Sequence, residues 1–181
     1  MHRIYLVSPY THVKSVSPHY SLEYIKFYLM DHGYGAEIID CSHYDSGLEG
    51  VIAKLNEGEK PIIGITAYTR ERFAAYDLIR RIRNDIPDSL IVVGGRHFTY
   101  LADEALKNLP EIDIVVRGEG EITFKEICDS VYNKISINEI RGISFKEEGK
   151  IVHNPERPLE HNLDLFRNYD KDHLPDPKKY S

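Results

Sequence analysis

The 181-residue sequence has no tryptophan, only two cysteines and no excess of positive charge: 23 Lys and Arg stand against 29 Asp and Glu, for a formal net charge of −6. Each shortage rules something out. Cys41 and Cys128 are too few for a disulfide framework or a thiolate cluster, and a reducing compartment would keep both as thiols. The acidic balance leaves no basic stripe, because a cluster such as Arg80, Arg81 and Arg83 is too short to make one, so no nucleic-acid partner is expected. No apolar run approaches the ~18 residues of a membrane span, and the chain opens into the strand-like Arg3–Val7 without a signal peptide, so no membrane partner is expected and the predicted location is cytoplasmic.

What is present is a recurring pattern. Five short apolar runs, Ile4–Val7, Ala36–Ile39, Ile62–Ile65, Leu90–Val93 and Ile112–Val116, do not alternate with polar residues, so both faces of each must be covered. Segments of helical period separate them, the clearest being Ala75, Leu78, Ile79, Ile82 and Ile86, and a further one, Phe124, Ile127, Cys128 and Val131, follows the fifth. The spacing is that of βα units with right-handed crossovers. It predicts an α/β fold: a flavodoxin-like, doubly wound, five-stranded parallel sheet of order 2-1-3-4-5 over residues 1–135. Arg141–Phe145 and Lys150–Val152 bracket a glycine-bearing turn and read as a C-terminal β-hairpin within residues 136–155, and residues 156–181 as an extended, proline-punctuated connector or docking tail.

In such a sheet, ligands bind outside the carboxyl ends of the strands. The loop after the first strand, Ser8 to Pro18, has no glycine, which excludes a Gly-x-Gly-x-x-Gly dinucleotide site, while its hydroxyls leave a flavin phosphate cradle open. A phosphoacceptor site would need acidic residues and a lysine where Thr66, Ser8-Pro9 and Arg117 stand. After the fourth strand, Gly94-Gly95-Arg96-His97 lets a flat or bulky ligand lie against the main chain, or else serves a tight turn that needs positive φ. After the fifth, glycines again flank the strand end in Arg117-Gly118-Glu119-Gly120-Glu121. Glu121 reads as a first-turn acid of the next helix, whereas Glu119 between two glycines is harder to explain as surface decoration. Nine histidines show no metal-binding spacing; His12 and His97 lie on ligand-facing loops.

Together these segments resemble the N-terminal cobalamin-binding domain of class B radical SAM enzymes. The resemblance rests on Ser17-Pro18-His19-Tyr20-Ser21-Leu22, Asp31-His32-Gly33-Tyr34, Ile63-Gly64-Ile65-Thr66, Val92-Val93-Gly94-Gly95-Arg96-His97 and Val115-Val116-Arg117-Gly118-Glu119-Gly120-Glu121. Arg141-Gly142-Ile143-Ser144-Phe145, Leu163-Asp164 and Leu174-Pro175-Asp176-Pro177 resemble the strand pair and connector that lead into the radical SAM barrel. It implies a corrinoid across the carboxyl edge, with Thr66, Tyr68, Thr69, Gly94, Gly95, Arg96, His97, Gly118, Glu119 and Gly120 about the corrin or its nucleotide tail, whose ring is flat and whose linker is a phosphate. A Gly95→Val change is then expected to block the tail while the domain stays folded.

The sequence departs from that family in two places. The Asp-x-His-x-x-Gly of domains that ligate cobalt through histidine is reduced to His12, so no lower histidine ligand is expected, with His12 the residue to test; and the Cys-x-x-x-Cys-x-x-Cys of the iron–sulfur cluster is missing, so this chain generates no radical by itself. The resemblance therefore implies a carrier that presents cobalamin to its own C-terminal radical SAM domain, absent here, which would add a 4Fe-4S cluster and S-adenosylmethionine and act by methyl transfer or a related radical reaction on a small-molecule or peptide substrate. A flavodoxin-like flavin-binding or non-catalytic interaction module is the alternative.

Overall fold

The computed structural model describes residues 3–11, 17–133 and 135–162. The chain runs β1 (Ile4–Ser8), α1 (Tyr20–Asp31), β2 (Ala36–Asp40), α2 (Gly47–Leu55), β3 (Ile62–Thr66), α3 (Arg72–Asp85), β4 (Leu90–Gly94), α4 (Gly95–Tyr100), α5 (Ala102–Asn108), β5 (Ile114–Val116), α6 (Glu121–Asn133), β6 (Ile143–Glu147) and β7 (Lys150–His153). Among the described residues one sheet contains every strand, in the order β2-β1-β3-β4-β5-β6-β7. The pairs among β1 to β5 are parallel and the last two pairs are antiparallel.

The unbroken apolar runs are explained by two cores. Successive strand residues point to opposite faces, so Tyr5, Val7, Ile63, Ile65, Ile91 and Val93 pack under α2, α3 and α5, while Ile4, Leu6, Ile62, Val92 and Ile114 pack under α1 and α6. On α3 the buried residues Ala75, Leu78, Ile79 and Ile82 form one stripe. Each aliphatic side chain taken fully out of water contributes about 1.5–3 kcal/mol before entropy is charged against it.

Among the described residues the sheet has seven strands, because the expected hairpin adds two to it. The hairpin is no appendage: β6 lies along β5 with Val115 opposite Ser144 and Ile114 opposite Phe145. Its Ile143 and Phe145 join the α1/α6 core, covering what would otherwise be an open apolar edge at β5. The turn from β6 to β7 has Glu148 at φ 50° and Gly149 at φ 77°, two consecutive left-handed residues as a tight two-residue hairpin demands.

Parallel pairing brings the strand ends to one edge. Ser8 pairs with Asp40, and Thr66 with Gly94, so the loops that follow them share a rim.

Candidate functional site

A cavity of about 370 Å³ opens on that rim and descends between the sheet and helices α1 and α6. Leu6, Gly64 and Val92 line it from the strands, Leu22 and Ile25 from α1, and Phe124 from α6. Gly64 is required here, because a Cβ on it would lie 2.6 Å from the Phe124 ring; its absence lets that ring lie against the strands. At the mouth stand Thr66, Tyr68, Gly94, Gly95, Arg96, Thr99, Tyr100 and the run Gly118-Glu119-Gly120-Glu121. The volume falls toward the small end of ligand sites, which run from roughly 300 to 1,000 Å³.

Local chemistry fixes the mouth. After β3, the backbone N–H of Tyr68 donates to the Glu71 carboxylate at 3.0 Å, and Glu71 is itself buried. The amide of Gly118, at φ 80°, donates to Thr99 Oγ1 at 3.2 Å and ties the loop after β5 to α4. Glu121 faces the cavity rather than open solvent; burial pushes its carboxyl up from the usual range, and Glu119 beside it adds to the rise.

Eight of the ten residues singled out in the sequence are brought together here: Thr66, Tyr68, Gly94, Gly95, Arg96, Gly118, Glu119 and Gly120. Thr69 and His97 are not among the lining residues. Thr69 is exposed and begins a one-turn 3-10 helix, where its carbonyl accepts from Arg72 Nη1 at 2.8 Å. His97 is 2% exposed and turned into the α3 side of the core, with Nε2 2.6 Å from the Tyr76 hydroxyl and its ring edge-on to Phe98. Burial, and Arg72 nearby, push its pKa down, so the ring is held neutral.

The two adjacent glycines differ. Gly94 is extended at φ −156°, and a Cβ there would meet Val116 at an ordinary 3.7 Å. Gly95 has φ +84°, and a Cβ would lie 2.6 Å from Thr66 Oγ1 and 3.0 Å from the Ala67 carbonyl. From sequence, Gly95→Val is expected to act on the tail alone, but valine there is strained by both backbone angle and contact, so the change also destabilises the fold.

A second polar group gathers at the ends of β1 and β2. Ser8 Oγ is 2.8 Å from His19 Nε2, and Asp40 Oδ2 is 3.5 Å from the same nitrogen and 3.0 Å from His43 Nδ1. Burial works against the charged Asp40, yet hydrogen bonds from His19, the Ser42 amide and His43 hold its carboxyl below the usual value. Serine and aspartate meet one and the same imidazole nitrogen, so this is no nucleophile relay. It braces the two strand ends beside a further cavity of about 580 Å³, lined in part by Tyr10, Cys41, His43, Tyr44 and Leu78. Burial pushes the Cys41 and Cys128 thiols up to about 12, which makes both poor nucleophiles. His12, the residue to test against the expectation of no lower histidine ligand, and the connector segments from Leu163 to Pro177 lie outside the described residues. No helix among the described residues is long and apolar enough to cross a membrane.

The lining residues outside the predicted set include Ser21, Leu22, Ile25, Thr99, Tyr100, Glu121 and Phe124, together with strand residues such as Leu6, Gly64 and Val92. Leu22, Ile25 and Phe124 keep the helical period of any core residue, and nothing in that period separates a cavity wall from a packed interior.

Residues 10–128 match the family model described as the B12 binding domain. An uncharacterized methyltransferase of Pyrococcus horikoshii is 36% identical over 128 residues, covering 71% of this chain and 28% of the relative. The anaerobic magnesium-protoporphyrin IX monomethyl ester cyclase of Synechocystis is 28% identical over 158 residues, covering 81% of this chain and 31% of the relative. The chain thus spans less than a third of the length of these relatives. Among solved structures, the cobalamin-dependent S-adenosylmethionine radical enzyme OxsB, with aqua-cobalamin and S-adenosylmethionine bound, superposes with a TM-score of 0.77 at 21% identity, over 88% of this chain and 23% of that one. The radical S-adenosylmethionine methyltransferase TsrM from Kitasatospora setae, with cobalamin and a 4Fe-4S cluster bound, gives 0.70 at 21% identity, over 89% of this chain and 30% of that one. At such identities the likeness is one of fold.

Proposed function

We start from the fact that this chain belongs to the B12 binding domain family, and propose that it carries cobalamin within a longer radical SAM enzyme. The observation that supports this most directly is the slot itself: an apolar cavity that opens at the carboxyl edge, with hydroxyls, glycine backbone and one guanidinium at its mouth. A flat heteroaromatic base on a polar linker fits that chemistry, because the base exchanges water for Leu22, Ile25 and Phe124 while the linker stays among polar groups. We assign the cavity of about 370 Å³ to the nucleotide tail and leave the macrocycle to the rim.

Thr66, Tyr68, Gly94, Gly95, Arg96, Gly118, Glu119 and Gly120 would hold the cofactor, joined by Thr99, Tyr100 and Glu121. Thr69 and His97 stand aside from this set, one facing solvent and the other the core. When bound, cobalamin supplies a cobalt centre able to carry a methyl group or enter radical chemistry. The chain's own residues bind it, orient it by the tail and keep water out of the slot.

For the longer protein we propose residues 1–135 as the carrier, 136–155 as its hairpin extension and 156–181 as the connector to a radical SAM domain. That domain would bring the 4Fe-4S cluster and S-adenosylmethionine for methyl transfer or a related reaction on a small-molecule or peptide substrate. Family membership favours the corrinoid over the flavin alternative. The test mixes the purified 181-residue chain with hydroxocobalamin and follows the corrin absorption spectrum and gel filtration. A spectral change with colour eluting at the protein's position is expected; an unchanged spectrum with no retained colour refutes the proposal, and a yellow preparation with a flavin spectrum would support the alternative.

A further inference from the structure

Arginines among the described residues are almost all engaged. Ten fall within the described residues, and nine of them meet a carboxylate or carbonyl of the protein, as Arg83 meets Asp113 at 2.6 Å and Arg81 meets Glu49 at 2.9 Å. Arg96 is the tenth. It is exposed, and its side chain makes no hydrogen bond or ion pair with any described residue. Among the described residues that line the cavity it is also the one cation, while the two anions there, Glu119 and Glu121, belong to the loop after β5 and the start of α6.

A lone guanidinium on one element and two carboxylates on another give the mouth an electrostatic direction. An anionic ligand group is drawn to the α4 side and repelled from the α6 side. The planar fork of arginine suits a phosphate, whose oxygens accept two N–H bonds at once. With no carboxylate among the described residues paired to it, Arg96 gives up no described ion pair when such a group arrives.

We infer that Arg96 reads the phosphodiester of the nucleotide tail and so distinguishes a complete cobalamin from a corrinoid that lacks its tail. This rests on the cobalamin reading proposed above and assigns one side chain of that site a discriminating task. The side chain acts on binding and orientation and takes part in no bond-making step.

The test titrates the 181-residue chain and its Arg96→Ala, Arg96→Gln and Arg96→Lys variants with hydroxocobalamin and, separately, with cobinamide, which has neither the phosphodiester nor the base. Arg96→Ala and Arg96→Gln are expected to weaken cobalamin about tenfold, the scale of one charge-assisted hydrogen bond. Cobinamide affinity is expected to stay within about twofold of the unaltered chain's. Arg96→Lys recovers part of the loss, and the salt dependence of cobalamin binding becomes shallower in Arg96→Ala. Equal losses for both corrinoids, or no loss for either, overturn the inference while leaving the cobalamin reading in place. Failure of the unaltered chain to bind either corrinoid overturns both. Thermal melts of the variants are expected to match the unaltered chain, because the replaced side chain has no described partner to lose.

Discussion

Gly94 and Gly95 are neighbours whose replacement by valine should have opposite consequences. At Gly95 the φ of +84° costs a β-branched residue about 1–3 kcal/mol, and its Cβ would stand 2.6 Å from Thr66 Oγ1 and 3.0 Å from the Ala67 carbonyl. A total near 3 kcal/mol corresponds to a melting temperature lower by about 6–12 °C for a chain of this length. At Gly94 the backbone is extended and a Cβ meets Val116 at 3.7 Å, so valine fits the strand and is favoured over glycine by up to ~1 kcal/mol. Its methyl groups then occupy the neck of the 370 Å³ slot. If that keeps on the order of 120 Å² of a flat base in water, at about 25 cal/mol per Å², cobalamin binding loses ~3 kcal/mol, or about 100-fold. Thermal melting and titration with hydroxocobalamin on both variants read the two effects apart. Gly94→Val binding cobalamin with unchanged affinity would show that the tail does not pass this strand end, and Gly95→Val melting with the unaltered chain would remove the reason given for that glycine.

Two further changes probe the surrounding frame. Asn154 is buried and its Nδ2 donates to the carbonyls of Ile137 at 2.9 Å and Ile140 at 2.7 Å, so Asn154→Ala should cost about 2–3 kcal/mol in urea unfolding, and a cost below ~0.5 kcal/mol would mean that these carbonyls find other partners. His97, held between Tyr76, Phe98 and Arg72 with Glu104 nearby, has a lowered pKa in the folded state, because burial and Arg72 disfavour its charge. Above the ordinary value of 6.5 it is neutral both folded and unfolded; as pH falls through 6.5 toward the lower folded value, the unfolded chain takes up the proton first, so stability is lost. His97→Phe should flatten the change in urea midpoint between about pH 7.5 and 5.5; an identical slope in both proteins would assign that pH dependence to other groups.

The parts of the fold that were legible in the sequence share one property: a local pattern with a single physical solution. A run such as Ile62-Ile63-Gly64-Ile65 must be covered on both faces, and five such runs separated by helical segments require a sheet between two helical layers. Ile143-Ser144-Phe145 has no such single solution, because its alternation suits a free hairpin as well as a sheet edge, and what decides is the uncovered side of β5, a non-local fact. The site divides the same way. The sequence marks the loops at the strand ends, and eight of ten chosen residues do meet at one mouth. Yet consecutive residues on a helix point about 100° apart, so of the adjacent Arg96 and His97 one faces the cavity mouth and the other the core. Gly94 and Gly95 are equally indistinguishable as letters. Backbone angle separates them: one is a glycine because a turn needs positive φ, and the other stands where the fold would accept a side chain. On the cobalamin reading, what excludes a side chain at Gly94 is the ligand, which makes this glycine, and not its neighbour, the one that reports on function.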